Sequence, residues 1–295
     1  MNIHFILNPR AGRGRDYGRL LSTIERRCVR GGIAATAIRC DELAQLDEIV
    51  ATARASGVDA LVAVGGDGTV HELGVRLIGT PIALGILPVG SGNGLARHLG
   101  ISMDPVSALD GMADATIETI DTARVGESAF LGVAGIGFDA EVAHRFGTAG
   151  KRGLEAYVRE AALLLRSYRP QRYTIEADGE TRVWNALLVA VANSSQYGNE
   201  ARIAPGASLR DGMLDICILE EPPLLAVPIL LRRLFAGTLR DGKGVSIRRA
   251  SSARVERAEP GRAHLDGEPV TLGATLRFEV VPQSLRVLVP RGRTI

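Results

Sequence analysis

Apolar positions in this chain follow two textures. Up to about Asp121, short continuous apolar runs alternate with stretches of helical spacing, the pattern of βαβ units around a parallel sheet. Ile3-His4-Phe5-Ile6-Leu7, Asp59-Ala60-Leu61-Val62-Ala63-Val64 and Ile82-Ala83-Leu84-Gly85-Ile86-Leu87 read as buried strands. Val70–Leu77 and Leu95–Leu99 read as the helices that follow the last two. Between Asp41 and Ser56, Leu43, Leu46, Ile49, Val50 and Ala53 recur at helical spacing, which predicts a helix with Asp41 as its N-cap. Beyond Asp121 the runs shorten. Strands are expected at Ala129–Val133, Arg172–Ala177, Arg182–Ala192, Leu214–Leu219, Ala263–Leu265, Thr275–Val281 and Leu285–Val289, with hairpin turns at Asp178-Gly179 and Asp266-Gly267.

Two helices interrupt this second region. From Arg152 to Arg169, Leu154, Tyr157, Val158, Ala161, Leu164, Leu165 and Tyr168 share one face, and Arg152, Arg159 and Arg166 line the other. The arginine stripe reads as a solvated face, the alternative being contact with anionic lipid headgroups. In Pro222–Leu239 an apolar block ends in Arg232-Arg233. Packing on the second domain's sheet is the preferred reading there, and membrane contact the alternative. The fold expected is an α/β N-terminal domain with a parallel sheet, joined to a mainly antiparallel β C-terminal domain. The boundaries are 1–121 and 122–285, with the tail from about 286 to 295 packing back on the first domain. An active site is expected in a cleft between them.

Composition narrows the class without naming it. The chain has 295 residues, is 46% hydrophobic, and sets 35 Lys and Arg against 33 Asp and Glu, for a net charge of +2. That balance does not mark a nucleic-acid binder. Lys151 and Lys243 are the lysines, and the other basic side chains are Arg, as genomic base composition would produce. The longest apolar runs fall well short of the ~20 residues that a transmembrane helix needs, and the chain opens directly into a strand, so a cytoplasmic protein is expected. Cys28, Cys40 and Cys217 have no paired spacing and read as small buried hydrophobes.

The candidate chemistry lies where strands hand over to helices. Gly65-Gly66-Asp67-Gly68-Thr69 closes the second buried strand, Pro88-Val89-Gly90-Ser91-Gly92-Asn93-Gly94 closes the third, and Asn8-Pro9-Arg10-Ala11-Gly12-Arg13-Gly14 closes the first. Such turns bring backbone amides close to a phosphate, at the edge where open α/β sheets bind ligands. Three on one edge argue for a nucleotide. No Gly-x-x-x-x-Gly-Lys-Ser/Thr stretch exists, so backbone, metal and Arg would have to hold the phosphates. Asp67 suits either Mg²⁺ or the proton of the group being phosphorylated.

Asn8-Pro9-x-Ala11-Gly12, Gly65–Thr69 and Pro88-x-Gly90-Ser91-Gly92-Asn93 resemble successive signatures of the diacylglycerol kinase catalytic-domain family, which includes bacterial lipid kinases and sphingosine and ceramide kinases. The likeness continues through Ala134-Gly135-Ile136-Gly137-Phe138-Asp139-Ala140, Asn199–Pro205 with Asp211-Gly212-Met213-Leu214-Asp215, and His264-Leu265-Asp266-Gly267-Glu268-Pro269. It departs at His71, where the family commonly has Asn before the residue matching Glu72, and at Ile38–Ala44, where a Thr and a Gly-His-Ala-like segment are usual.

The resemblance implies a lipid kinase using ATP and Mg²⁺, with an N-terminal domain like that of NAD kinase and phosphofructokinase. The first domain would then bind nucleotide and the second the lipid. Asn8, Gly65, Gly66, Asp67, Gly68, Thr69, Glu72, Gly90, Ser91, Gly92 and Asn93 would form the nucleotide site. Glu268 would take the proton of the lipid hydroxyl and Asp67 would act on the phosphate side, a rival assignment making Asp67 the base. Asp211, with the carbonyls of Ser208 and Met213, would hold a second, structural Mg²⁺. The lipid would be met at the inner membrane surface, by a peripheral protein free to form a homodimer. Diacylglycerol is the first candidate acceptor. A soluble acceptor such as NAD, or a silent nucleotide- or lipid-binding role, are the alternatives.

Overall fold

The computed structural model describes residues 1–9, 17–148 and 154–292. Arg10, Ala11, Gly12, Arg13 and Gly14 of the first turn, Arg152 of the arginine stripe and residues 293–295 of the tail lie outside these, as do the side chains of Leu154, Tyr157 and Val158. The chain divides into two compact units, Met1–Ile120 with Gln283–Ile295, and Asp121–Pro282.

The first unit is α/β. Its strands are β1 (Asn2–Leu7), β2 (Ala34–Arg39), β3 (Ala60–Gly65) and β4 (Ala83–Pro88), and its helices α1 (Tyr17–Arg30), α2 (Gln45–Ala55), α3 (Asp67–Leu77), α4 (Gly94–His98) and α5 (Pro105–Ala113). The strands pair in parallel in the order β4-β3-β1-β2. Every residue of β3 and β4 is buried, which is why their sequences run apolar without alternation. The returning tail adds Val287, paired in parallel with Leu84 of β4.

Helix α2 corrects the expected cap. Ala44 stands at the N-cap, and the Gln45 side chain accepts the Asp41 and Glu42 backbone N–H groups at 2.9 and 3.1 Å. The Asp41 carboxylate is drawn instead to Arg39, 2.8 Å away. Leu43 therefore precedes the helix and is 46% exposed, while Leu46 and Ala53 bury its inner face.

The second unit contains β5 (Thr116–Val125, from Asp121 onward), β6 (Ser128–Phe130), β7 (Val133–Gly137), α6 (Phe138–Thr148), α7 (Leu154–Leu165), β8 (Gln171–Ala177), β9 (Glu180–Ala192), β10 (Leu214–Glu220), α8 (Val227–Phe235), β11 (Val245–Ala250), β12 (Ser252–Glu256), β13 (Gly261–Leu265), β14 (Glu268–Leu272) and β15 (Thr275–Val289, up to Pro282). Antiparallel pairing runs β14-β13-β7-β9-β8-β12-β15, with β10 between β9 and β11. Both expected hairpin turns are present, with positive φ at Asp178, Gly179, Asp266 and Gly267, as a two-residue turn matched to strand twist requires.

Several expectations change, and β11, β12 and β14 are strands beyond those expected. Ala129–Val133 is split between β6 and β7, Thr275–Val289 is one strand, and α6 adds a third helix. Phe130, Phe278 and Tyr173 anchor the main core, with the two phenylalanine rings edge to face at 6.4 Å. The three cysteines are buried and unpaired.

Candidate active site

The three turns of the first unit are tied together by specific contacts. β3 ends at Gly65, and Gly66 enters α3 with φ −101° and ψ −167°, bringing no capping side chain. The opening of α3, an eleven-residue helix, is thus left without a side-chain cap, a place suited to an anion. Asp67 follows, and its carboxylate reaches the next turn. Its two oxygens accept the backbone N–H groups of Asn93 at 2.8 Å and Gly94 at 2.7 Å, capping the short helix α4 from outside.

Glycine is required here by close approach rather than by positive φ. A Cβ on Gly90 would stand 2.6 Å from the Gly66 Cα, and one on Gly92 would overlap the Asp67 carboxylate. Asn93 is the residue that takes the left-handed conformation, with φ 56° and ψ 52°. Its amide donates to the Gly90 carbonyl at 2.8 Å, while its Oδ1 is buried with no donor. Arg97 Nε donates to the Gly92 carbonyl at 2.9 Å. The first turn joins through Asn8, whose amide donates to the Thr69 hydroxyl at 3.0 Å. Glu72, one turn into α3, pairs with Arg76 at 2.6 Å, and Arg76 also holds Asp47. Ser91 is exposed at the tip of the second turn. The structure therefore brings Asn8, Gly65, Gly66, Asp67, Thr69, Gly90, Gly92 and Asn93 together. An uncapped helix start beside a buried, donorless Asn93 oxygen fits a phosphate-bearing ligand with a hydroxyl or amine to donate.

In the second unit, Asp266 and Glu268 share one tight turn and have different surroundings. The Asp266 carboxylate accepts three successive backbone N–H groups, of Leu131, Gly132 and Val133, at 2.8, 2.7 and 3.0 Å. This grip breaks the apolar run into β6 and β7. Glu268 opens β14, opposite Leu265, and is exposed.

Sequence reading missed what stands behind the turn. His264 is 2% exposed, its Nδ1 accepts the Gly267 N–H at 3.3 Å, and its Nε2 faces Asp139 at 3.3 Å. Asp139 also accepts the Tyr197 hydroxyl at 2.8 Å and the Ala140 N–H at 2.8 Å. A buried chain thus runs from Tyr197 through Asp139 and His264 to the backbone next to Glu268. Gly135 is the residue that makes room, because a Cβ there would overlap both Asp139 and His264. Its members are scattered between positions 135 and 267, so no local spacing marks them. Nearby, Ser194 and Gln196 are buried with side-chain oxygens that have no donor.

The Asp211 loop is less suited to a cation as it stands. Asp211 Oδ1 accepts the Met213 N–H at 3.1 Å, its Oδ2 is paired with Arg249, and the Ser208 hydroxyl accepts the Arg210 N–H at 3.3 Å. Arg249 also lies 3.6 Å from Asp215, whose pKa is raised by burial despite that guanidinium. Sequence reading also missed Asp121, buried against this loop and accepting the Gly212 N–H at 2.8 Å. The loop offers the oxygen donors that Mg²⁺ prefers, but Arg249 already balances its carboxylate. No cluster of three or more His, Cys, Asp or Glu fit to hold a metal occurs among the described residues.

Known proteins resemble this chain in sequence and in fold. Residues 2–125 match the family description "Diacylglycerol kinase catalytic domain", and residues 132–289 match "YegS C-terminal NAD kinase beta sandwich-like domain". A Pseudomonas putida protein named "Probable lipid kinase YegS-like" is 31% identical, covering 85% of this chain and 84% of its own length. A Mycobacterium tuberculosis protein named "Diacylglycerol kinase" is 34% identical over 82% of this chain and 81% of its own. The crystal structure of a diacylglycerol kinase from Bacillus anthracis has the same fold, with a TM-score of 0.79 over 99% of this chain and 98% of its own, at 20% identity. From its glycine turns to its Asp-Gly-Glu turn, the chain belongs to the diacylglycerol kinase family and is a kinase of the lipid-kinase type.

Proposed function

We propose that this enzyme transfers the γ-phosphoryl group of ATP, with Mg²⁺, to a hydroxyl of a membrane lipid, diacylglycerol being the first candidate. The observation that carries this reading is the Asp67 clasp, which joins two glycine turns beside an uncapped helix start. The names of the M. tuberculosis and P. putida relatives support the acceptor class.

In this reading the opening amides of α3, with Gly66 and Gly68, hold phosphate oxygens, and Asn8 and Thr69 keep the turn in shape. Mg²⁺, when bound with the nucleotide, would supply charge neutralisation to the phosphates, and Asp67 is the carboxylate at these turns that would hold it, alongside its contacts to the Asn93 and Gly94 amides. Asp67 has both oxygens engaged by amides, which favours the phosphate-side role over that of a free base. Glu268, exposed at the start of β14, is the better acceptor for the lipid proton. An enzyme acting on such a substrate works as a peripheral protein at a bilayer.

Labelled-ATP transfer against a panel of lipids in mixed micelles, with NAD and sugar phosphates as controls, tests the reading. Mg²⁺-dependent labelling of diacylglycerol or a related glycerolipid is expected. Labelling of a soluble acceptor alone, without micelles, would overturn it.

A further inference from the structure

Helix α8 and the turn before it carry an apolar surface that packing does not use. The helix has two faces. Leu230 and Leu234, four residues apart, pack against the core cluster of Ala190, Ile203, Cys217 and Leu239. The Leu234 carbonyl also accepts the Arg202 N–H at 3.0 Å, fixing the end of the helix to the unit. The opposite side is turned outward. Leu225 is 92% exposed and Ile229 53%, with Pro223 and Pro228 exposed beside them, while Leu231, two residues on from Ile229 and so on another side of the helix, is 41% exposed. Within α8, Ile229, Arg232 and Arg233 share one side at helical spacing, and Leu225 stands in the 3-10 turn, Leu224–Ala226, that leads into it.

This is an unusual concentration. Of the eight large hydrophobics that are exposed among the described residues, three fall in these seven positions. The expected packing of this segment on the second domain's sheet is therefore half of what it does, since Leu230 and Leu234 meet that need. The arginine stripe of α7 offers a contrast. Arg159 is paired with Glu160 at 3.7 Å, and the described outer face there has Leu163 as its one exposed large hydrophobic.

Charge selects the occupant of the α8 face. Arg232 and Arg233 are exposed at its end, and neither takes part in an ion pair among the described residues. An apolar ridge that ends in two unneutralised guanidinium groups complements an anionic bilayer, where the ridge enters the acyl boundary and the arginines meet the headgroups. No helix among the described residues is long and apolar enough to cross a membrane.

We propose that Leu225 and Ile229, with Arg232 and Arg233, form the docking ridge that holds this enzyme on an anionic lipid bilayer. The inference rests on the lipid-acceptor reading above and adds where the enzyme meets the lipid phase. The ridge adsorbs to the interface and leaves the second unit's core unchanged.

Sedimentation of the full chain with sucrose-loaded vesicles tests it, using phosphatidylcholine with 25% phosphatidylglycerol against phosphatidylcholine alone. The wild type is expected to bind the mixed vesicles and to bind the neutral ones less. The double variant L225E/I229E should lose about tenfold or more of its partitioning, as expected for two apolar side chains withdrawn from the interface. R232E/R233E should abolish the preference for phosphatidylglycerol, about fivefold for each charge removed. Leu43→Glu, at an exposed leucine of the first unit, should bind as wild type. Circular dichroism and melting temperature confirm that each variant is folded.

Wild-type binding by folded L225E/I229E would overturn the proposal, as would a wild type that binds neither vesicle. A dimer in analytical ultracentrifugation that L225E/I229E dissociates, with vesicle binding unchanged, would assign the ridge to a second copy instead. Transfer to lipid is scored separately in detergent micelles. Loss of docking with micellar transfer intact supports both readings. Docking that depends on Leu225, with no lipid phosphorylated under any condition, supports the ridge and removes the proposed activity.

Discussion

Asp67 caps the helix that Asn93 leads into: its Oδ2 accepts the Asn93 backbone N–H at 2.8 Å, across 26 residues of sequence. With the second oxygen on Gly94 N–H at 2.7 Å, one carboxylate at the start of α3 organises the start of α4. A residue read as chemical is thus also architectural, and its substitution has two separable effects. Asp67→Asn exchanges one accepting oxygen for a donor that faces an N–H group. We expect a loss of about 1–3 kcal/mol in stability, the cost of leaving a buried amide unsatisfied. We also expect turnover to fall by about two orders of magnitude or more, as for loss of a charge-stabilising group. Urea unfolding and kcat measured on the same preparation separate the two. Activity that merely follows the folded fraction would reduce Asp67 to a cap.

The glycines of the two turns should not behave alike. A Cβ at Gly66 would make its nearest contact at 3.4 Å, with the Gly90 Cα, whereas a Cβ at Gly92 would overlap the Asp67 carboxylate. Gly66→Ala should therefore fold, with its melting temperature within a few degrees of wild type and weakened ATP binding. Gly92→Ala should lose several kcal/mol because the clasp itself must move. Calorimetric titration with ATP and thermal melting together test this. Normal ATP affinity in Gly66→Ala would mark that residue as a turn-former only.

Glu268 should matter for transfer and little for nucleotide binding. Glu268→Gln keeps the shape of the side chain and loses most of its proton affinity. ATP affinity should stay within a few-fold of wild type while lipid phosphorylation falls about 100-fold or more, the upper range for a general base. Saturating lipid in micelles keeps a docking defect out of the comparison. Full transfer by Glu268→Gln beside none by Asp67→Asn would move the base role to Asp67.

The chain behind the turn should register in stability and in transfer. Tyr197→Phe removes one hydrogen bond to Asp139, worth about 1 kcal/mol. Asp139→Ala strands the Tyr197 hydroxyl and the His264 Nε2 together and should cost about 3 kcal/mol or more. If His264 holds the Gly267 backbone in place for Glu268, Tyr197→Phe should change kcat more than the KM for ATP. Equal unfolding midpoints for wild type and Asp139→Ala would remove the chain from the account.

One contact next to this chain is pH-sensitive. Burial works against the Glu141 carboxylate, but Arg262 and then Arg145 outweigh it and hold its pKa below the usual range. The folded state then binds the proton less tightly than the unfolded chain. Its stabilisation is present above the unfolded value of about 4.3 and is lost as pH falls through the lower folded value. Glu141→Gln should cost about 1 kcal/mol at pH 7, since Arg262 is half exposed and solvent screens the pair. The difference from wild type should shrink as pH falls below the unfolded value, and the urea midpoints of the two should converge once the folded-state carboxylate is protonated.

Local regularities explain what could be read from the chain. β3 and β4 are buried on both faces, so their sequences announce themselves as unbroken apolar runs. The hairpin dipeptides at 178 and 266 demand positive φ, and Asp-Gly supplies it. The α2 start was misread because Asp41 had a nearer partner in Arg39, a competition that no capping rule contains. Leu43 and Leu46 both fit helical spacing, and the choice between them was made by the core.

By itself, the sequence determined the fold class, the alternation of strand and helix, and the points where glycine-rich turns interrupt it. Those are consequences of periodicity and of backbone sterics, which act over a few residues. Tertiary structure decided which side chains answer one another. It set Asp67 against the amides of Asn93 and Gly94, and Asp266 against the loop at 131–133. It also joined Tyr197, Asp139 and His264 behind Glu268, and turned Leu225 and Ile229 outward. Each of these depends on two or more segments arriving at the same place, and hydrogen bonds and burial are settled only once the chain has folded.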